Sequence, residues 1–252
     1  VIISDNSNFE VSVNRIMAGK TLNAGQICLA PDYVFVPEGK KDNFVSQSKE
    51  IVSKMYPTLK ENPDYTSVIN QRHYDRLKGY IDEAQDKGAE VIEINPSDED
   101  FDQQPNHKIP PTLIVNPDED LSVMKEEIFG PVLPIKTYSD ISETINYINS
   151  KDRPLGLYYF GEDAKELDDI LKNTTSGGVT INDVVFHVAQ DNAPFGGVGP
   201  SGTGSYHGIE GFKNFSHAKT IYTQTKFDGL INIFRPPYGA KAKNALKMQI
   251  KP

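Results

Sequence analysis

The sequence predicts an α/β fold, a three-layer α/β/α domain around a mostly parallel sheet, because three observations agree. Helix and strand patterns alternate along the chain, and the helices are long enough to connect parallel strands. The 252 residues suffice for one large hydrophobic core. Hydrophobic residues make up 37% of the chain and charged residues 24%, as in ordinary soluble proteins.

The predicted helices place apolar residues at the spacing of one helix face. In the first, residues 8–22, these residues include Val13, Ile16 and Met17. The third ends at Gly88, and the last two each open on a Ser or Asp cap. The other predicted helices cover residues 39–56, 70–87, 139–150 and 163–173.

The predicted strands are short apolar runs between these helices, and they cover residues 32–37, 89–94, 112–115, 132–138, 156–160 and 178–181. From residue 182 to residue 211 the pattern gives way to Gly, Pro, Ser and Asn, which indicates a functional loop. After it we expect one more strand at residues 219–225 and a solvated tail at residues 236–252.

The bulk composition disfavours several classes of protein. A net charge of −9 without a clustered basic face argues against a nucleic-acid partner. No apolar run approaches the roughly 18 residues of a membrane span, so no membrane partner is expected. The single cysteine excludes an intramolecular disulfide. With no signal peptide visible, it favours a reducing, cytoplasmic location.

Cys28 is the candidate nucleophile. It follows residues 23–27 (NAGQI), where Gly25 lets the backbone leave helix geometry and lets another group approach closely. A thiol just beyond that break is placed like a nucleophile at the edge of an element. The alternative is a small buried hydrophobic residue. A free thiol with a pKa of about 8.5 would also need a base or local activation at neutral pH.

A second candidate site is the segment that contains Glu126, Glu127 and Phe129, just before a predicted strand. A carboxylate can accept both hydroxyls of a ribose diol, and an aromatic ring can press on a flat heterocycle. The alternative is a solvated acidic turn followed by a core phenylalanine.

Two further patterns carry less weight. Residues 197–202 match G-x-G-x-x-G, but Pro200 interrupts the match and no acidic residue follows at the required distance, so we expect a loop and not a Rossmann fingerprint. His187 and His217 are possible bases for Cys28, although each is also explained as a structural histidine. No cluster has the spacing of metal ligands, so no metal site is predicted.

Several segments, in the family's order, resemble the catalytic domain of the aldehyde dehydrogenase superfamily. Residues 23–28 (NAGQIC) resemble its cysteine motif, and residues 126–134 (EEIFGPVLP) resemble its nicotinamide-ribose segment. Residues 194–197 (PFGG) resemble the border of its aldehyde channel. The resemblance covers about residues 1–221. It is closest to the class 3 and coniferyl-aldehyde branch through residues 30–33, 205–208 and 215–217.

The resemblance implies a role for four residues. Cys28 would be the nucleophile, Glu127 would bind the nicotinamide ribose, and Phe129 would pack near the nicotinamide. Phe195 would line the aldehyde pocket. The implied reaction oxidises an aldehyde, aromatic such as coniferyl aldehyde or of medium chain length, to the carboxylic acid with NAD or NADP. The implied assembly is a homodimer.

The resemblance also implies that part of the enzyme lies outside this chain. Residues 1–217 would be the catalytic domain, and residues 218–252 an oligomerisation or bridging strand with a tail. The dinucleotide-binding domain and the general-base glutamate would precede residue 1, so this chain alone is expected to be inactive and to bind no cofactor. The alternatives are a thiol hydrolase using Cys28 with His187 or His217, and an assembly module without catalytic activity.

Overall fold

The structure, a computed structural model, describes residues 1–102, 104–227, 229, 232 and 235–250. The chain divides into two compact units, Val1–Phe215 and Ser216–Pro252. The first unit contains the sheet and every residue proposed above for the Cys28 site except His217.

The described residues form one sheet of seven strands. In chain order these are β1 (Ile2–Ile3), β2 (Val34–Pro37), β3 (Glu90–Glu93), β4 (Thr112–Val115), β5 (Val132–Tyr138), β6 (Gly156–Phe160) and β7 (Gly178–Ile181). Their order across the sheet is β3-β4-β5-β2-β1-β6-β7, and every neighbouring pair is parallel except β3 with β4. The predicted mostly parallel sheet is therefore confirmed. The two-residue β1 was not predicted, because two residues carry no period.

The helices of the described residues include the five that were predicted. They are α1 (Phe9–Thr21), α2 (Lys41–Met55), α3 (Gln71–Asp86), α4 (Ser122–Lys125), α5 (Ile141–Ser150), α6 (Ala164–Asn173), α7 (Gly208–Asn214) and α8 (Ala240–Gln249). Side chains cap several of their amino ends, since Asn8 accepts the Val11 N–H and Asp163 accepts two N–H groups of α6.

The core confirms three layers, because alternate residues of each strand face opposite helices. In β2, Val34 and Val36 pack in one cluster with α1 and α2, while Phe35 packs in another with α5 and α6. In β4, Ile114 packs in a third cluster with α3. β2 and β4 are therefore buried on both faces, as expected for the central strands of a parallel sheet with helices on each side.

The prediction for the carboxyl-terminal region differs from the structure in three places. Residues 219–225 form no strand, because no strand in the described part of the chain pairs with them and their side chains are exposed. The solvated tail contains helix α8, whose Ala, Lys and Leu residues have high helix propensity. The loop ends at α7, which was missed because Gly208 and Gly211 are weak helix formers.

Candidate active site

Cys28 lies in an irregular turn between α1 and β2, which we call the cysteine turn (residues 23–30). Asn23, Ala24 and Gly25 all have left-handed backbones, with φ of 52°, 52° and 73°. This run ends helical geometry and leads into a tight turn in which the Ala30 N–H donates to the Ile27 carbonyl at 2.9 Å. Cys28 itself is exposed. The thiol is therefore not the buried hydrophobic residue of the alternative interpretation.

Two side chains fix the cysteine turn to the rest of the domain. The Gln26 amide donates to the Ser67 carbonyl at 3.0 Å and accepts the Ile69 N–H at 2.9 Å. On the other side of Cys28, the buried Tyr158 hydroxyl donates to the Leu29 carbonyl at 2.7 Å. Cys28 is thus held between two anchored neighbours.

The cysteine turn touches a second irregular segment, residues 126–130, which we call the acidic turn. A Cβ on Gly25 would lie 2.2 Å from the Gly130 carbonyl oxygen, and a Cβ on Gly130 would lie 2.3 Å from Leu77 of α3. Phe129 adopts φ +46°, a conformation that is strained for a residue with a side chain. The two turns therefore meet through glycine backbones, with α3 behind them.

One cavity of about 710 Å³ joins Cys28 with Glu127 and Phe129. All three residues are exposed, Phe129 by 40%. The cavity lies at the amino ends of the strands, since Tyr33 directly precedes β2 and Gly156 begins β6. Ligands of open parallel sheets usually bind at the carboxyl ends, so this cavity is at the opposite edge.

Phe195 lies in a neighbouring and smaller cavity of about 280 Å³. Leu155 and Ser201 line both cavities. Phe195 is 7% exposed, and its backbone pairs with that of Tyr206. The expected glycine loop, residues 197–202, forms turns and no helix, and its Ser201 hydroxyl accepts the Val198 N–H at 2.9 Å. Phe195 therefore lies next to the cavity that contains Cys28, and not in it.

His187 is not hydrogen-bonded to Cys28 in the described part of the chain. His187 Nδ1 is 2.8 Å from the Thr180 hydroxyl, and its ring packs against Phe195. Burial lowers the pKa of His187, which favours its neutral form. His217 belongs to the second compact unit. His187, the candidate within the first unit, is therefore not paired with Cys28 in the way that the thiol hydrolase needs.

Among the described residues, no set of three or more His, Cys, Asp or Glu side chains is placed to hold a metal ion. No helix in the described ranges combines the length and the apolar composition needed to cross a membrane.

Comparison with known proteins decides the family. The family model described as "Aldehyde dehydrogenase family" matches residues 1–221, which is most of the chain. The chain belongs to the aldehyde dehydrogenase family. Within this family it is 56% identical over 252 residues to the probable coniferyl aldehyde dehydrogenase of Caulobacter vibrioides. It is 53% identical over 239 residues to the coniferyl aldehyde dehydrogenase of Pseudomonas sp. (strain HR199).

The chain spans about half the length of these aldehyde dehydrogenase relatives. The matches cover 100% and 95% of this chain but only 52% and 50% of the relatives. Among solved structures it is similar to Staphylococcus aureus AldH in a substrate-bound state. That match has a TM-score of 0.83 and 35% identity, and it covers 99% of this chain and 53% of the other.

Two further solved structures of aldehyde dehydrogenases contain a dinucleotide. They are betaine aldehyde dehydrogenase of Staphylococcus aureus with NAD⁺ and the NADP-dependent glyceraldehyde-3-phosphate dehydrogenase of Bacillus halodurans with NADP. Each is 29% identical to this chain, with TM-scores of 0.74 and 0.73. The matches cover 85% and 83% of this chain and 43% of each of those chains.

Sequence reasoning missed two charged residues of this family member that line the cavity, Lys20 and Asp32. Lys20 is 1% exposed; burial lowers its pKa to about 8, although the Asp32 charge opposes this. Burial raises the pKa of Asp32, against the Lys20 charge and a hydrogen bond from the Ile128 N–H. A signal for Lys20 was present, because it lies on the buried face of α1 with Val13 and Met17.

Proposed function

We propose that the chain is the catalytic half of an NAD(P)-dependent aldehyde dehydrogenase with Cys28 as its nucleophile. The observation that carries this proposal is the cavity, in which an exposed thiol shares one space with Glu127 and Phe129. The names of the two coniferyl aldehyde dehydrogenase relatives support an aldehyde substrate, aromatic such as coniferyl aldehyde or of medium chain length.

Glu127 and Phe129 are the residues of this chain that would hold the cofactor. The exposed Glu127 carboxylate can accept both hydroxyls of a ribose diol, and the exposed Phe129 ring offers a face to a flat heterocycle. Both residues line the space that Cys28 faces, which fits a nicotinamide nucleotide. NAD or NADP, when bound, supplies the hydride acceptor. Phe195, in the adjoining cavity, is proposed to border the aldehyde channel.

Cys28 begins the reaction and is restored at its end. The thiolate adds to the aldehyde carbon, forming a C–S bond and a thiohemiacetal whose oxygen carries the developing negative charge. The Cys28 N–H has no acceptor among the described residues, so it is available to that oxyanion. Loss of hydride leaves a thioester on Cys28. Water then cleaves the C–S bond, which releases the carboxylic acid and returns the thiol.

The remaining parts of the enzyme are proposed to lie in the half of the relatives that this chain does not span. They are the pyrophosphate site, which needs a helix amino terminus, and the base that activates water. Residues 218–252 are proposed to serve assembly into a homodimer. Residues 219–225 then form a strand only where another strand pairs with them.

The test follows reduced cofactor while the chain is supplied with coniferyl aldehyde and NAD or NADP. We expect no turnover by the chain alone, because positioning and base catalysis together contribute several powers of ten in rate. Iodoacetamide is expected to alkylate the exposed Cys28. The full-length dehydrogenase is expected to turn over, and Cys28→Ala is expected to lower its rate by at least about a thousandfold.

The single cysteine supplies a matched control, since Cys28→Ala leaves no thiol to be labelled. An unreactive Cys28 in the folded chain would contradict the proposed site. Hydrolysis of an activated ester by the chain alone, lost in His187→Ala, would favour the thiol hydrolase instead.

A further inference from the structure

Arg76, on α3, binds the backbone of the acidic turn. One of its guanidinium nitrogens donates to the Ile128 carbonyl at 2.7 Å, and the other donates to the Glu127 carbonyl at 3.2 Å. Within the described part of the chain Arg76 forms no ion pair. Its charge is therefore directed at two adjacent carbonyls of the segment that carries Glu127 and Phe129.

Tyr80, one helical turn further along α3, extends this contact. Its hydroxyl accepts a hydrogen bond from Arg76 at 2.9 Å and donates one to the Glu126 carboxylate at 2.8 Å. The Arg76 guanidinium also lies over the Tyr80 ring, 5.1 Å from its centroid. Arg76 is thus held in place by Tyr80 while both residues bind the acidic turn.

Asp32 binds the same segment from the side of β2. Its carboxylate accepts the Ile128 N–H at 3.1 Å. Ile128 is therefore bound at its N–H by Asp32 and at its carbonyl by Arg76. Two elements that are distant in sequence therefore hold one residue between them.

The acidic turn needs such support because its backbone is strained. Phe129 has φ +46°, a backbone conformation that is unfavourable for a residue with a side chain, and yet its ring is 40% exposed and pairs with no aromatic ring among the described residues. Core packing of the Phe129 side chain therefore does not explain this backbone conformation. We attribute it to the hydrogen bonds that Arg76 donates to the two preceding carbonyls.

We propose that Arg76 is a positioning residue for the cofactor site, which keeps Glu127 and Phe129 at the cavity by binding the carbonyls of Glu127 and Ile128. This inference rests on the proposed function of Glu127 and Phe129. Arg76 touches neither Cys28 nor the cavity, so it acts through the acidic turn.

Arg76→Lys is the informative substitution. Lysine keeps the positive charge but lacks the planar fork that reaches two neighbouring acceptors at once. Arg72→Lys is the matched control, since Arg72 lies one turn earlier on α3 and is exposed, and its side chain makes no hydrogen bond or ion pair in the described residues. Tyr80→Phe is a second variant, which removes only the hydroxyl that joins Arg76 to Glu126.

The first measurement uses the chain alone and follows hydrogen exchange in peptides that span residues 126–130. Arg76→Lys is expected to speed exchange in this segment by about tenfold while the exchange rates of the sheet strands stay unchanged. Tyr80→Phe should act in the same direction and less strongly, and Arg72→Lys should have no effect. Unchanged exchange in Arg76→Lys would overturn the proposal for Arg76, and this result does not depend on whether the proposed function is correct.

The second measurement uses the full-length dehydrogenase. Arg76→Lys is expected to raise the KM for NAD or NADP by about tenfold and to change kcat by less than about threefold, since a displaced ribose site weakens binding more than chemistry. An equal loss of kcat at unchanged KM would overturn the proposal. Wild-type enzyme without aldehyde oxidation would instead refute the proposed function, and the exchange measurement would still decide the role of Arg76.

Discussion

At the scale of single residues, the cysteine turn depends on a position that has no side chain. Gly25 combines φ +73° with a close approach to the Gly130 carbonyl. The first property is unfavourable for any L residue, and the second leaves no space for a methyl group. Gly25 therefore sets how near the cysteine turn lies to the acidic turn.

Gly25→Ala is expected to lower the free energy of unfolding by about 2–4 kcal/mol, because the added Cβ would be strained and would lie 2.2 Å from a backbone oxygen. Urea unfolding measures this change. The rate at which iodoacetamide labels Cys28 should change as well, since the two turns must separate.

Gly79→Ala is the matched control. Gly79 lies within α3, and a Cβ there would meet nothing within 4 Å. This substitution should raise the free energy of unfolding by about 0.5–1 kcal/mol, as expected for glycine replaced inside a helix. A Gly25→Ala chain as stable as the wild type would show that the two turns are not in close contact.

At the scale of elements, one carboxylate links a loop to a strand and a helix. Glu119 accepts hydrogen bonds from Lys136 of β5, from the Tyr147 hydroxyl of α5 at 2.9 Å and from Lys151 at 2.7 Å. Partial burial raises the pKa of Glu119, but these bonds outweigh it and lower the pKa from 4.5 to about 2. The charged carboxylate is therefore favoured by folding.

A carboxyl group whose pKa is lower in the folded chain than in the unfolded chain stabilises the fold at pH values above its ordinary pKa. This stabilisation is lost as the pH falls towards the pKa of the folded chain. Glu119→Gln is therefore expected to be less stable than wild type at neutral pH, with the difference disappearing between pH 4.5 and about 2. The side chain is 45% exposed, so screening by solvent limits the difference to about 1 kcal/mol.

Denaturant unfolding at several pH values measures the contribution of Glu119. Glu50→Gln is the control, because the Glu50–Lys54 pair is an exposed contact within one helix and links no separate elements. A difference between wild type and Glu119→Gln that is as large at pH 2 as at neutral pH would contradict the assignment.

At the scale of the whole molecule, the cavity is built by elements far apart in the chain. In the proposed cofactor site, Glu127 and Phe129 would contact only the nicotinamide end of the dinucleotide. We expect the chain by itself to bind NAD and NADP with a dissociation constant above about 1 mM, because a pyrophosphate needs the amino end of a helix or an equivalent cradle.

Calorimetry of the isolated chain with either dinucleotide tests this expectation. Glu127→Gln should change nothing in the chain alone and should weaken binding in the full-length dehydrogenase. Micromolar affinity of the isolated chain, lost in Glu127→Gln, would mean that the dinucleotide site is complete here.

Much of the fold could be predicted because its signals are local. Caps such as Asn70 and Asp163, and the left-handed Gly88 after α3, mark helix ends through bonds between near neighbours. Four of the seven strands were predicted with the bounds that the structure gives them. The order of motifs along the chain also identified the family, since that order can be read without knowing which residues are close in space.

The tertiary structure alone decided which residues meet. Nothing in the sequence distinguishes Arg76 from a surface arginine on a helix. Its bond to the Ile128 carbonyl forms because α3 packs behind the acidic turn. Lys20 and Asp32 come together only when β2 lies beside the end of α1. Phe195 was expected at the aldehyde pocket. It lines a cavity next to that of Cys28, with Ser201 on the wall of both, and this placement depends on the path of the glycine loop. Local patterns record bonds between chain neighbours, whereas these contacts depend on packing between elements, which no local pattern encodes.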